Sequence, residues 1–234
     1  MRKILPLTPL PISIIFIILV FTGCKSEKNY KKEIEQKGYT YSEMSFLNEV
    51  RTGNKAIVEL FIKAGIDVNT NDYEGRTAVL IALDKSNYEI TKLLINNGAD
   101  VNAKDNYGYT ALAYAVIDNN YELVKLLIES GADINAKLEK GYTTLWIAVL
   151  QNNLKLAKLL IESGADVNAK HEDGGTVLMN ASLLSGNLEL IKLLIESGAD
   201  VNAKDNYGNT ALMNASSVGN TSIANLLKIS GARK

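Results

Sequence analysis

The feature that most constrains this chain is an internal repeat with a period of about 33 residues. Its copies are separated by 33, 33, 33, 34 and 33 residues. The motif Gly-Ala-Asp, or a variant of it, marks the copies at Gly65, Gly98, Gly131, Gly164, Gly198 and Gly231. A second motif, Gly-x-Thr, keeps the same period from Gly75, Gly108, Gly141, Gly174 and Gly208. Two independent motifs with one period predict a linear stack, in which each unit packs only on its neighbours.

Each unit is predicted to hold two short helices and an extended finger. In unit 105–137, Thr110 stands where the N-cap of the first helix belongs, and Asn119, which tolerates a left-handed backbone, stands at its end. A second helix is predicted over residues 121–130, whose leucine, valine and isoleucine side chains form a wide apolar face. Gly131 ends that helix, and the residues up to the next Gly-x-Thr form a finger with a tight turn.

Over residues 41–234 these features resemble the ankyrin repeat family. The family motif is Asp-x-x-Gly-x-Thr-Pro-Leu-His-x-Ala, and its histidine usually bonds neighbouring fingers. Here the histidine position is occupied by Leu80, Ala113, Trp146, Met179 and Met213. We therefore expect the array to depend more on apolar contact than its relatives do.

The resemblance implies an all-α ankyrin repeat solenoid of six helix–turn–helix repeats linked by β-hairpin fingers. The repeats are assigned to residues 41–70, 71–104, 105–137, 138–170, 171–204 and 205–234. Terminal repeats need polar outer faces, because no neighbour covers them. Glu49 in the first repeat and Lys228 in the last are expected to serve that purpose.

Residues 1–23 have the layout of a signal peptide. A basic start at Arg2 and Lys3 precedes the apolar run 12–21, which is shorter than the ~20 residues of a spanning helix. The only cysteine, Cys24, follows Phe-Thr-Gly, which resembles the lipobox of bacterial lipoproteins. That resemblance implies cleavage before Cys24 and attachment of lipid, palmitate included, to the new terminus. Two alternatives remain, an uncleaved membrane anchor and an ordinary secretory signal with an incidental cysteine.

All three interpretations place the repeats outside the cytoplasm. We expect a protein of the bacterial cell envelope, lipid-anchored on the periplasmic face or at the cell surface. Residues 24–40 comprise the lipidated cysteine and a lysine-rich segment, expected to be a solvated linker between the lipid and the array.

The composition argues against nucleic-acid binding and against catalysis. Lys+Arg number 25 and Asp+Glu 26, so no basic surface is expected for a nucleic acid. The only histidine, His171, is interpreted as a solvated turn residue, and Cys24 is committed to lipid. Neither a Cys–His pair nor a His/Cys metal cluster can therefore form within the chain. The recurrent loop pair typified by Asp100 and Asn102 is interpreted as bonding backbone amides, not calcium. No enzyme activity, cofactor or metal is expected.

Partners of the family usually dock on the finger tips and on the exposed ends of the first helices, which together form the concave side. Tyrosine and aliphatic residues occupy several of these positions, and tyrosine is enriched at binding hot spots. The predicted partner-binding residues are Tyr73, Arg76, Tyr107, Tyr109, Ile117, Asp118, Tyr142, Leu150, Gln151, Leu183, Leu184 and Tyr207. For Tyr107 and Tyr207 the alternative is a role in the turn alone, because both lie in a duplicated Asp-Asn-Tyr-Gly.

These observations predict a monomeric, membrane-tethered scaffold that binds an unidentified protein partner through its concave face. Two hypotheses compete with it. The first is a structural spacer in the envelope without a dedicated partner, and the second is an enzyme or metal site.

Overall fold

The computed structural model describes residues 25–184 and 187–233. The predicted signal peptide and Cys24 lie outside these residues. Thirteen α-helices occupy the described ranges. In chain order they are α1 Glu27–Gln36, α2 Glu43–Thr52, α3 Lys55–Lys63, α4 Ala78–Asp84, α5 Tyr88–Asn96, α6 Ala111–Ile117, α7 Tyr121–Glu129, α8 Thr144–Leu150, α9 Leu154–Glu162, α10 Val177–Leu183, α11 Leu188–Glu196, α12 Ala211–Ser217 and α13 Thr221–Ile229.

From α2 onward the helices form six pairs, one per repeat. The first helices, α2, α4, α6, α8, α10 and α12, pack on one another and make the inner layer. The second helices make the outer layer. One continuous apolar core lies between the layers, and Leu112, Leu127, Leu145 and Leu160 are fully or almost fully buried in it. The fold is therefore the predicted all-α solenoid.

The helix ends follow the capping chemistry expected from the sequence. The hydroxyl of Thr110 accepts the amide of Ala113 at 3.3 Å, and Thr143, Thr176 and Thr210 make the same bond. Asn119 has a left-handed backbone with φ of 55°, as predicted. Thr77 is the exception, because its hydroxyl is buried and bonds no residue of the described ranges.

The loop asparagines connect each repeat to the next. Asn102 Oδ1 accepts the amide of Asp133 at 2.7 Å, and Asn102 Nδ2 donates to the carbonyl of Gly131 at 3.0 Å. Asp100 Oδ1 in turn accepts the amide of Asn102 at 2.8 Å. The same pair of inter-repeat bonds recurs at Asn69, Asn135, Asn168 and Asn202. The interpretation that these side chains form hydrogen bonds with backbone groups is confirmed.

The fingers are tight turns with very little strand character. Two isolated antiparallel bridges, Asn71 to Thr77 and Lys104 to Thr110, are the only β pairing in the described ranges. The expected β-hairpins are thus reduced to single turns. Within one finger the amide of Asp105 donates to the carbonyl of Tyr109 at 3.1 Å, and the amide of Asn106 donates to the carbonyl of Glu74 in the preceding finger at 3.1 Å.

The expected solvated linker is wrong for residues 27–36, which form α1. Ile34 is completely buried, and α1 packs against α3. Next to this contact, the ring of Tyr41 stacks on Phe61 with 5.7 Å between centroids, and Lys31 Nζ lies 4.5 Å from the Tyr41 ring. The charged residues of the segment occupy the solvent side of an amphipathic helix.

The first repeat was expected to end the array with a polar face of its own, and this expectation is wrong. Its helix α3 buries Phe61 and Val58, and α1 supplies the polar outer surface instead. At the other end Lys228 is exposed as predicted, but Ile229 is 85% exposed beside it. Among the described helices, none combines the length and the apolar character needed to span a bilayer.

Candidate partner-binding groove

Six of the predicted partner-binding residues project aromatic or aliphatic surface into solvent. In order of decreasing exposure they are Tyr73, Tyr207, Tyr107, Leu150, Leu183 and Ile117. Exposed apolar side chains that recur on one side of a soluble fold mark an interaction surface more often than scattered ones do. The three tyrosines lie on separate fingers, whereas Leu150 belongs to a groove in the middle of the array.

The groove lies between the fingers of repeats three and four and the inner helix α8. It encloses about 480 Å³. Its lining consists of Tyr109, Leu138, Glu139, Lys140, Tyr142, Trp146, Ile147, Leu150 and Asn180. Thr143 caps α8, and the helical spacing of four residues then places Trp146 and Leu150 on one face. The structure thus brings together three predicted residues, Tyr109, Tyr142 and Leu150.

An aromatic cluster forms one wall of the groove. The ring centroids of Tyr142 and Trp146 are 5.0 Å apart, and those of Trp146 and His171 are 4.7 Å apart in an edge-to-face arrangement. Tyr142 and His171 are separated by 5.1 Å. These distances lie within the favourable range for aromatic pairs. Trp146 therefore contacts the next finger from the position where the family motif carries histidine.

His171 is not the solvated turn residue expected from the sequence, because its side chain is only 13% exposed. Its Nδ1 accepts the amide of Asp173 at 3.2 Å. In another finger, Asp105 Oδ1 accepts the amide of Tyr107 in the same way at 2.9 Å. The imidazole thus keeps the turn function of an aspartate and adds a ring to the cluster.

Gly175 leaves the space that the His171 ring occupies. Other fingers carry larger residues at this position, among them Tyr109 and Tyr142. A Cβ atom at Gly175 would overlap His171 Nε2, so the ring would have to move. The glycine is required here for its lack of a side chain, not for an unusual backbone conformation.

Gly175→Ala should therefore destabilise the protein by about 1–2 kcal/mol. Displacing the imidazole breaks its bond to the Asp173 amide and its contact with Trp146. Urea unfolding gives the loss, and the emission of Trp146, the only tryptophan, reports the local change. His171→Ala with Gly175→Ala should cost less than the sum of the single changes. Strictly additive losses would contradict the contact.

Tyr109 is held in place by a residue that the sequence did not single out. Its ring lies 5.9 Å from that of Tyr114, and Tyr114 Oη donates to Asp105 Oδ2 at 2.8 Å. Burial and this bond to a carboxylate raise the pKa of Tyr114 well above its usual value. Tyr109 and Tyr142 are consequently half-buried residues that shape the groove, and are less exposed than the tyrosines at the finger tips.

Arg76 organises its own finger and is not brought to the groove. Its guanidinium pairs with Asp72 at 2.8 Å, with Glu74 at 2.9 Å and with Asp84 at 3.6 Å. Burial alone would raise the pKa of Asp72. Hydrogen bonds from the Arg76 side chain and from the amides of Arg76 and Glu74 outweigh it, so the pKa is lowered. Among the described fingers, this is the only one whose turn aspartate is paired with arginine.

Asp72→Ala should lower the free energy of unfolding by about 1–3 kcal/mol at neutral pH, because it removes these bonds from a buried site. Because the pKa of Asp72 is lowered in the folded state, its ionised form stabilises the fold at pH values above the ordinary carboxyl pKa. This stabilisation is lost as the pH falls through the lowered pKa. The deficit of the variant should thus be largest at pH 7 and shrink in acid. Urea unfolding of both proteins across this pH range measures it. Asp205→Ala, at the same turn position without an arginine, should cost less.

The other predicted residues lie at the ends of the inner helices. Gln151 Nε2 donates to the carbonyl of Ile117 at 2.8 Å and so joins the end of α8 to the end of α6. Asp118 is exposed next to Ile117, and its pKa is raised by partial burial and by the nearby charge of Asp84. Leu184 is half-buried after α10, and Leu183 is exposed. None of these residues lines the groove.

Asn180 is a groove residue that was missed. In the next repeat, Asn214 Nδ2 donates to the carbonyl of Met179 at 3.1 Å. Asn180 Nδ2 is buried and has no acceptor among the described residues. Asn180 lies in α10 on the side of the preceding repeat. Its place in the lining of the groove could therefore be recognised only from the stacked helices.

Residues with metal-ligating chemistry do not converge. Within residues 25–184 and 187–233, no group of three or more His, Cys, Asp or Glu side chains is placed to hold a metal ion.

The geometry agrees with comparisons to known proteins. The family model for ankyrin repeats in three copies matches residues 47–138 and 145–234. The crystal structure of an ankyrin repeat domain from Acinetobacter baumannii AYE is similar, with a TM-score of 0.76 and 27% sequence identity. That alignment covers 82% of this chain and 100% of the solved domain. No curated protein matches the chain significantly. Because the family model spans most of the sequence, the chain belongs to the ankyrin repeat family.

Proposed function

We propose that this protein is a non-catalytic scaffold that binds a protein partner through the concave groove, tethered to a membrane outside the cytoplasm. Ankyrin repeats are generally protein–protein interaction modules, and solenoids present extended concave surfaces for this purpose. The observation that carries the proposal is the groove itself. It exposes Leu150 beside the ring cluster of Tyr142 and Trp146, and neither Leu150 nor Tyr142 belongs to the apolar core.

Most contacts between repeats lie outside the groove. The inter-repeat asparagine bonds and the buried leucine core connect the repeats there, and the contact of Trp146 with His171 adds to them at the groove. Large aromatic side chains at a half-open position therefore remain available for a partner. Because the groove is preformed by packed helices, a partner binds without first ordering it.

The proposed tether rests on the sequence before the first helix. Only Lys25 and Ser26 separate Cys24 from the start of α1 at Glu27. Two extended residues reach about 7 Å. A lipidated Cys24 would hold α1 close to the bilayer, in place of the long linker expected from the sequence. Metabolic labelling with an alkynyl palmitate tests the lipid, with Cys24→Ser as the unlabelled control.

In-cell photo-crosslinking tests partner binding. A benzophenone amino acid at position 109 faces the groove, and the same residue at position 125 lies on the outer helix α7 as a control. We expect a discrete, saturable adduct from position 109 and none of the same mass from position 125. A structural spacer predicts no saturable adduct from either position, and that result would replace the proposal with the spacer.

A further inference from the structure

The rims of the groove carry acids that the protein itself leaves unpaired. Glu139 lines the groove, and Glu172 lies beside it because its amide donates to the carbonyl of Lys140 at 3.0 Å. On the helix side, the bond from Gln151 to the carbonyl of Ile117 brings the chain segment of Asp118 to the end of α8, where Leu150 lies. Within the described residues, none of these three carboxylates forms an ion pair, and Lys140 is the only lysine that lines the groove.

This imbalance is not a general property of the surface. On the outer helices, acids pair with lysines, as in Lys125 with Glu129 at 3.8 Å, Lys158 with Glu162 at 3.8 Å and Lys192 with Glu189 at 2.8 Å. The concave middle of the array therefore attracts cations, whereas the outer face is close to neutral. Charge complementarity of this kind selects partners and accelerates their association.

The aromatic rings in the groove are also free to receive a cation. Elsewhere in the protein, Lys155 Nζ lies 3.7 Å from the centre of the Tyr121 ring and Lys31 Nζ lies 4.5 Å from that of Tyr41. Across the described part of the chain, no lysine or arginine lies over a ring of the groove. A basic side chain from a partner could pack its aliphatic stem on Leu150 and place its charge against Tyr142 or Trp146.

The size of the groove limits what a partner can insert into it. The volume of about 480 Å³ accommodates a few side chains and not a folded domain.

We infer that the groove binds an extended polypeptide segment of the partner through an arginine or lysine flanked by aliphatic residues. This inference rests on the proposed function and names the chemistry of the partner. The basic side chain lies between the ring cluster and the acids Asp118, Glu139 and Glu172. The aliphatic neighbours contact Leu150 and Tyr109.

An array of random dodecapeptides tests the inference. The full chain is presented in phosphatidylcholine nanodiscs, and empty nanodiscs measure binding to lipid alone. We expect the bound peptides to be enriched at least fivefold in arginine or lysine next to Leu, Ile or Phe. Titration of the best peptides should shift the emission of Trp146, and their affinity should fall as salt is raised.

Two variants with equal changes in charge identify the binding face. Asp118→Asn, Glu139→Gln and Glu172→Gln together remove the rim charges and should abolish the enrichment in basic residues. Glu129→Gln, Glu162→Gln and Glu196→Gln remove three charges from the outer helices and should leave it intact. Thermal unfolding of both variants checks that they remain folded.

The outcomes separate this inference from the proposed function. If the bound peptides are acidic or purely apolar, or if the rim variant keeps the basic preference, the inference is wrong while binding through the groove stands. If no peptide binds, the inference is also wrong, and the photo-crosslinking result decides independently whether a protein partner exists.

Discussion

Ile34→Ala should lower the free energy of unfolding by about 3 kcal/mol, the usual cost of emptying a fully buried isoleucine site. Ile34 is completely buried and is the only residue of α1 in the buried core, while Tyr30 packs against that core with part of its side chain. A helix of 10 residues is marginal in isolation, so α1 depends on this contact with α3. Its loss uncovers the apolar side of the first repeat.

The expected damage is local before it is global, because each repeat of a solenoid is stabilised mainly by its neighbours. Amides of α1 and α3 should lose protection from hydrogen exchange, while amides of α8 and α9 keep it. Urea unfolding measures the total loss. Glu35→Ala, at an exposed position of the same helix, is the matched control and should change stability by less than about 0.5 kcal/mol. If Ile34→Ala behaves like this control, α1 is the loose linker that the sequence suggested.

Trp146→Ala should weaken partner binding about thirtyfold, because loss of a hot-spot residue costs about 2 kcal/mol or more. The change removes the ring that connects Tyr142 to His171 and widens the groove. Titration of the crosslinked partner, or of the best basic peptide, measures the affinity. Trp146→Phe keeps a ring against His171 and should lose less.

Tyr107→Ala and Tyr207→Ala are the controls for this prediction. Both tyrosines are more than half exposed at finger tips and neither lines the groove. Each backbone amide, which the substitution retains, donates to the aspartate of its turn. They should bind the partner nearly as well as the wild type. If either loses more affinity than Trp146→Ala, the partner docks along the finger tips and the groove is not the centre of the interface.

The repeat pattern determined most of the fold in advance. The period, the cap at Thr110 and the turn at Asn119 depend on interactions between residues close in sequence, so each could be predicted from a single unit. The role of Asn102 followed from the family resemblance, and the structure added its partner, the backbone of the next repeat.

Two features were missed because they depend on contacts between distant residues. Ile34 is a single apolar residue in a charged segment. The segment becomes helical because it covers an apolar side of α3 that would otherwise be exposed. His171 was interpreted from its turn position alone. Its burial results from Trp146 in the preceding repeat and from the absence of a side chain at Gly175. The turn itself requires neither of them.

The candidate site shows the same division. Sequence placed Tyr109, Tyr142 and Leu150 on one face, since equivalent positions of stacked repeats lie side by side. It did not distinguish them from Arg76, which is held by Asp72, or from Tyr73 and Tyr207, which project from separate fingers. Which residues converge depends on side-chain packing between repeats.

Sequence alone thus determined the solenoid, because a periodic chain can bury its apolar surface only by stacking equivalent units. The repeat boundaries and the face on which a partner is expected stay predictions from the same pattern. The tertiary structure decided that α1 closes the array and that Trp146, Tyr142 and His171 form one wall of a groove. Those outcomes depend on volumes and distances between side chains of different repeats, and a one-dimensional pattern does not contain them.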